Sequence, residues 1–338
     1  MALRPALVAS LLLLAGCAGN TPTHPSVGGE SAKPSAMTEP TDCGGSLQDL
    51  IDAAPNGATL NVPGCTFTGG ATIDKPLTLV GATITTGRSK VGLIVNASDV
   101  TLRGLRITGP QATVYDRSEK AIDVRGSATS PIDNLVIRDS VIRRFGYGGI
   151  HAKYLTEFTI RDNTISDGVY AGIMVISGVR GTISGNTVER VGVQGAAAND
   201  NNAYGIALTQ QVSTDTRSTD IVVSGNTVDG VPTWHGLDTH GGARITWTGN
   251  TVKGCRDGIF ITGWSTNRAL DNVIDANHVE DTINSNQYGI TSVFSTGGRV
   301  TGNTIVSWPL GHGVLTTSEG DPDATAVDLT ISGNIIQP

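Results

Sequence analysis

The chain has 338 residues, with 30 acidic side chains against 23 basic ones and a formal net charge of −7. No basic stripe is present, which argues against nucleic acid as a partner. Aromatic residues make up only 4% of the chain, and Val, Ile and Thr dominate between 44 glycines. That composition excludes a compact core built on large rings and suits many short strands stacked in thin layers.

From the first residue, Met1 to Arg4 brings one positive charge, and Ala6 to Leu14 is an apolar run too short to span a bilayer. This reads as an export signal over residues 1–16. The run leads into Leu14-Ala15-Gly16-Cys17, which resembles the bacterial lipoprotein cleavage box. The resemblance implies that Cys17 becomes the lipidated first residue of the mature protein. Its acyl chains would then be the sole membrane anchor, placing the protein outside the cytoplasm in the cell envelope. Residues 17–42 are rich in Pro, Ser, Thr and Gly and form a disordered tether.

The folded domain is expected over 43–338. Cys43 and Cys65 bracket its start, and in an exported protein a disulfide between them would persist. Between them Ser46-Leu47-Gln48-Asp49-Leu50-Ile51-Asp52 has a capping Ser, an acidic first turn and helical spacing of Leu47, Leu50 and Ile51, which predicts a short amphipathic helix. Such a helix would cover the open end of a stacked sheet. Cys255 reads as a small buried residue.

From about residue 90 two phrases alternate. One is Gly or Ala followed by an aliphatic residue, as in Gly149-Ile150-His151-Ala152, Gly172-Ile173-Met174-Val175, Gly205-Ile206-Ala207-Leu208, Gly236-Leu237-Asp238-Thr239 and Gly258-Ile259-Phe260-Ile261. The other runs like Thr182-Ile183-Ser184-Gly185-Asn186-Thr187-Val188 and returns around Asn163, Asn226, Asn250, Asn277, Asn303 and Asn334. Each phrase holds one or two strands of period two. The first phrase repeats at intervals from 22 residues (Gly236 to Gly258) to 33 (Gly172 to Gly205), with no useful helix between copies. A doubly wound sheet is therefore excluded, as is an antiparallel sandwich, which would need hairpin turns. What remains is a coil in which each strand pairs in parallel with its copies above and below. The recurring Asn fits a ladder of side-chain amides at a tight corner, the preceding Gly supplying the turn conformation. The pattern resembles the right-handed parallel β-helix of pectate lyases, polygalacturonases, polysaccharide epimerases and phage tailspikes. That resemblance implies an all-β solenoid with a short N-terminal capping helix.

If the aliphatic residue after each glycine points inward, alternate residues point outward. Outward pairs are then Asp123/Arg125, His151/Lys153, Met174/Ile176, Ala207/Thr209, Asp238/His240 and Phe260/Thr262. Asp238 and His240 share a ridge, with small Ala207 and Thr209 on one side and flat Phe260 on the other, which makes a cleared shelf for a ligand. Tyr204 and His235 occupy one column a rung apart. Trp234, Phe260 and Trp264 offer flat faces to sugar rings, Arg268 lies in a neighbouring loop, and the polar loops 193–203 and 210–219 would wall the shelf. His151/Lys153 repeats the pattern about 14 Å lower, three rungs at about 4.8 Å each. Asp123/Arg125 is expected to be a surface ion pair of little worth.

The stretch His235-Gly236-Leu237-Asp238-Thr239-His240 resembles the Tyr-Gly-Phe-Asp-Pro-His signature of mannuronan C5-epimerases, matching at Gly236, Asp238 and His240. The resemblance implies that Asp238 and His240 are catalytic. The family's Tyr is replaced by His235, so its acid/base role passes to His235 or to Tyr204. The family's Lys, about one rung upstream, has no counterpart, since Ala203 and Ala207 stand there. Arg268 or Arg244 would have to neutralise a substrate carboxylate. Fragments similar to polygalacturonase motifs, Gly311-His312-Gly313 and Asn226-Thr227-Val228-Asp229-Gly230, lack that family's paired Asp and basic triplet, and no second carboxylate faces Asp238, so hydrolysis is disfavoured. No acidic cluster suggests a calcium site, and neither metal nor cofactor is expected. The sequence therefore suggests a polysaccharide lyase or C5-epimerase that takes a proton alpha to a carboxylate. A non-catalytic glycan-binding or structural β-helix is the competing expectation.

Overall fold

The computed structural model describes residues 43–110, 114–192, 202–210, 215–285, 287–308, 312–317 and 321–337. The export signal, Cys17 and the tether lie outside the described residues. The predicted helix forms over Leu47–Ala53. The Ser46 side chain accepts from the Asp49 backbone while the Asp49 carboxylate accepts from the Ser46 backbone, a closed capping box. Leu47 and Ile51 are buried on the first coil. Gln48 ties the helix to a sheet edge, accepting from the Thr72 backbone N–H and donating to its carbonyl. The edge is thus covered rather than left open. Cys43 and Cys65 are joined by a disulfide, as expected.

Beyond the helix the strands wind into a solenoid whose named strand pairings are parallel. The inward column of the first phrase runs Leu93, Ile122, Ile150, Ile173, Ile206, Leu237, Ile259, Ile290, each in register with the next. The second phrase supplies two further columns. Ile137, Ile160, Ile183, Val223 and Trp247 stack on one face, and Ile142, Ile165, Val188, Val228 and Val252 on the other. All of these are fully buried in one continuous core. Each aliphatic side chain so buried contributes about 1.5–3 kcal/mol.

The corner between the latter two faces carries the amide ladder. The Nδ2 of Asn163, Asn186, Asn226, Asn250, Asn277 and Asn303 donates to the Oδ1 of the next Asn at 2.8–3.0 Å. Each amide also donates to a backbone carbonyl of the preceding coil, as Asn226 does to Ile183. A residue of positive φ precedes the Asn, Gly185 and Gly225 among them. The glycines that open the first phrase answer a different need. A Cβ on Gly205 would stand 2.4 Å from the Gly236 carbonyl oxygen, so adjacent coils approach too closely there for any side chain. Among the described residues no helix is long and apolar enough to cross a membrane.

Candidate active site

The strand Thr227–His240 carries the site. Its register places Tyr204, His235 and Asp257 in one column, Ala207, Asp238 and Phe260 in the next, and Thr209, His240 and Thr262 in the third. This is the arrangement the outward-facing parity predicts. Leu237 joins the interior core, whereas Asp238 faces a groove of about 190 Å³ on the outer side of the coil. The volume is below the roughly 300–1,000 Å³ of enclosed small-molecule pockets, as suits an open shelf gripping one stretch of a longer ligand. Met174, Ile176, Ala207 and Thr209 make its floor, Tyr147, Tyr170 and Tyr204 its wall, and Asp238 and His240 its end, with Gln210 beside them.

Asp238 is only 1% exposed. Its Oδ2 lies 2.7 Å from His235 Nδ1 and 3.3 Å from His240 Nε2, so one carboxylate oxygen sits between two imidazoles. Burial alone would raise its pKa, but the charge of His240 and the hydrogen bond from His235 outweigh that and bring it down to about 2. Burial would likewise lower the pKa of His240, yet the neighbouring carboxylate wins and holds it above the ordinary imidazole value. His240 is about one-third exposed at its side chain while Asp238 and His235 are closed off. Of the three side chains His240 alone is partly accessible, with its Nε2 buried against Asp238.

His235 takes a different place from the one expected. It is 2% exposed and sandwiched between Phe260, at 4.0 Å and 13°, and Trp234, at 4.7 Å and 26°. Its Nδ1 is occupied by Asp238 and its Nε2 lies 3.8 Å from Asp257. It is absent from the groove lining, whereas Tyr204 is part of it. Of the two candidates for the missing Tyr, the structure thus brings Tyr204 to the ligand face and makes His235 a support for Asp238. Burial, with the Asp238 charge adding to it, pushes the Tyr204 phenol far above its ordinary pKa.

The remaining candidates divide. Thr209 lines the groove. Trp264 is 37% exposed and meets His240 edge-on at 6.2 Å, outside the groove lining. Phe260 and Trp234 were expected to offer free faces to sugar, but each gives a face to His235, and Arg256 lies over Trp234 at 4.1 Å. Arg268 does not serve the site. Its guanidinium donates to the backbone carbonyls of Ser295, Asp323 and Thr325 and to the Thr296 hydroxyl, which staples two outer loops together. Arg244 is spent on Asp220. Asp123 with Arg125 is likewise no surface pair. Asp123 is 2% exposed and accepts from His151 Nδ1 at 2.9 Å as well as from Lys120 and Arg125, so it forms a buried ionic hub. Cys255 is buried, and burial pushes its thiol up to about 12, an unreactive state. Parts of the walling loops, 193–201 and 211–214, lie outside the described residues.

Sequence reasoning placed Met174 and Ile176 on the outer face without giving them to the site, and missed Tyr147, Tyr170 and Asp257. The signal existed: Tyr147, Tyr170, Tyr204 and His235 stand two or three positions ahead of the inward aliphatic residue in four successive coils. Tyr147 stacks on Tyr170 at 4.8 Å, and Tyr170 meets Tyr204 edge-on at 5.5 Å, an aromatic wall along the coil axis. No metal was expected, yet His235, Asp238 and His240 offer three ligand atoms within 4.8 Å of one another. A divalent ion held there would replace the His235–Asp238 hydrogen bond.

The pattern that defines right-handed β-helix regions matches residues 78–277. The chain belongs to the right-handed β-helix family. Comparison with curated protein sequences finds no match. Among solved structures, this β-helix chain is similar to the A-module of mannuronan C-5 epimerase AlgE4 from Azotobacter vinelandii, with 16% identity, a TM-score of 0.55, and 86% of this chain and 92% of that one covered. It is also similar to DFA-IIIase from Arthrobacter chlorophenolicus in complex with GF2, with 14% identity, a TM-score of 0.58, and 86% and 80% covered. A third is the catalytic unit of a GH87 alpha-1,3-glucanase from Streptomyces thermodiastaticus, with 16% identity, a TM-score of 0.55, and 82% and 51% covered. At these identities the likeness is one of fold.

Proposed function

We propose that this β-helix protein is a carbohydrate-active enzyme of the bacterial cell envelope, anchored through Cys17, that abstracts the C5 proton of a uronate residue in a polysaccharide. The observation that carries the reading is the Asp238–His240 pair at the end of an open outer groove, the imidazole partly accessible and the carboxylate buried behind it. The mannuronan C-5 epimerase likeness supports it.

In this reading neutral His240 takes the C5 proton as the C5–H bond breaks, and the electron pair moves into the substrate carboxylate as an enolate. Asp238 stabilises the imidazolium so formed. Tyr204, kept protonated, meets the developing charge and donates a proton. If that proton goes to C5 from the opposite face, the product is the epimer. If instead the C4–O bond breaks as the C4=C5 double bond forms, the proton goes to the leaving oxygen and the chain is cleaved. His235, held by its two aromatic neighbours and by Asp257, fixes the direction of the Asp238 carboxylate.

The test is incubation of the mature protein with uronate polymers in deuterated buffer. Deuterium at C5 for an epimerase, or unsaturated ends for a lyase, is the expected result. The absence of both across homopolymers and glycosaminoglycans would overturn the proposal. The burial of Asp238 favours a second reading, a non-catalytic glycan-binding β-helix. That reading predicts that Asp238→Asn and His240→Gln leave polysaccharide retention unchanged and that no exchange occurs with the wild type. Anchoring is tested by Cys17→Ser, which should release the protein from the membrane fraction. Unchanged membrane association would exclude the lipid anchor.

A further inference from the structure

One buried imidazole faces two carboxylates. His235 Nδ1 lies 2.7 Å from Asp238 Oδ2, and its Nε2 lies 3.8 Å from Asp257 Oδ2. An imidazole with a single ring proton donates to one of them and turns a bare nitrogen to the other. His235, Asp238 and Asp257 are 2%, 1% and 4% exposed, so bulk water does not relieve the mismatch. A second one stands beside it. His240 Nε2 is buried 3.3 Å from the same Asp238 oxygen, yet makes no aligned hydrogen bond. Arg256, with Nε 3.5 Å from Asp257, answers that carboxylate and not Asp238.

Both mismatches are resolved by a cation with nitrogen-seeking chemistry. His235 Nδ1, Asp238 Oδ2 and His240 Nε2 lie within 4.8 Å of one another. Ligands of a tetrahedral zinc ion stand about 3.4 Å apart. The 3.3 Å gap already fits, and the 2.7 Å gap has to open by about 0.7 Å. Two imidazoles and one carboxylate are the donors of open zinc sites, whose fourth position holds water. Imidazole nitrogens favour Zn2+, Ni2+ or Cu2+ over Ca2+ and Mg2+, which take oxygen donors. His235 is held in place by stacking on Phe260 and Trp234, while His240, 32% exposed at its side chain, borders the groove from which an ion would enter. An ion on His235 Nδ1 sends the ring proton to Nε2, where Asp257 receives it, the usual support for a metal-bound imidazole. An ion on His240 Nε2 likewise leaves the proton of that ring on Nδ1, and the neutral ring then has no lone pair to offer.

We propose that His235, Asp238 and His240 form a binding site for a transition-metal ion of the zinc class. Resting on the C5-abstraction reading, the bound ion silences the enzyme, because it leaves His240 without a lone pair for the C5 proton.

The mature protein, stripped with EDTA and dialysed, is titrated with ZnCl2 by calorimetry and with CoCl2 by absorption spectroscopy. Its C5 exchange and unsaturated ends are read with and without one equivalent of Zn2+. The expected result is one ion per chain at this site, with the visible bands of tetrahedral Co2+. Zn2+ binding should weaken at least tenfold in Asp238→Asn and in His240→Gln, and about tenfold in Asp257→Asn. It should be unchanged in His278→Gln, where a His–Glu pair stands apart from the site. Catalysis should be lost with the ion and restored by EDTA. No stoichiometric binding, or binding as tight in folded His240→Gln as in the wild type, overturns the site. Full affinity in Asp257→Asn counts against the arrangement behind His235. Binding with catalysis undiminished, or catalysis that requires the ion, overturns the silencing. If no polymer is turned over even without metal, C5 abstraction falls, and the two binding titrations alone decide the site.

Discussion

Replacing Asp238 by Asn keeps the shape of the side chain and removes the charge between two imidazoles. The carboxyl is brought from 3.8 down to about 2, a drop of roughly two pKa units, or about 2 kcal/mol favouring the ionised form in the folded chain. That contribution is present above pH 3.8 and fades as pH falls toward 2. His240, whose pKa is raised, contributes stability that is complete below the ordinary imidazole value and is lost as pH rises through its folded value. The two windows overlap between about pH 4 and pH 6.5. There the wild type should exceed Asp238→Asn by about 2 kcal/mol, or about 4 °C in Tm for a domain of this size. Without the carboxylate, burial is left to act on His240 alone, so its titration should move to lower pH. NMR titration of the His240 ring protons in both proteins reads this directly, and the acid limb of the C5-exchange rate should move the same way while the rate falls by about 10²–10⁴. An unchanged His240 midpoint, or a Tm difference independent of pH, would refute the coupling on which the site depends.

Asn226→Ala should be among the costly corner substitutions. It strips Asn186 Nδ2 of an acceptor and leaves the Ile183 carbonyl and Asn250 Oδ1 short of donors, which predicts a loss of about 2–3 kcal/mol or more in chemical denaturation. A loss under 0.5 kcal/mol would show that the ladder is ornamental. Opening the Cys43–Cys65 bridge with a double Ser variant frees a loop closed across a sequence separation of 22, worth about 3 kcal/mol by chain entropy, and calorimetry should show a lower Tm with the C5-exchange rate retained. Arg268→Ala should lower Tm through the loss of its loop contacts yet leave KM for polysaccharide unchanged. A large rise in KM would return Arg268 to the ligand.

The solenoid was legible because its signals are local and repeated. Glycine followed by an inward aliphatic residue fixes the parity of each strand, and parity alone predicted that Asp238 and His240 project together beside Ala207 and Thr209. The corner Asn marked its own ladder. What the sequence did not disclose depends on side chains that meet across coils. Tyr147 and Tyr170 come from coils well below Asp238 and join it only as lining of one groove. Asp123 looked like half of a surface pair because Arg125 is its neighbour in sequence, whereas the deciding partner, His151, comes from the next coil. Arg268 looked available because the loop it holds, around Asp323 to Thr325, lies more than fifty residues downstream. His235 matched a family position by alignment, but its rotamer is set by stacking on Phe260 and Trp234.

The most direct test of C5 proton abstraction by His240 is deuterium incorporation at C5 of uronate polymers, measured side by side for the wild type and His240→Gln. The account predicts C5 deuterium or unsaturated ends from the wild type and the loss of both in the folded variant. Incorporation that persists at the wild-type rate in His240→Gln would contradict it.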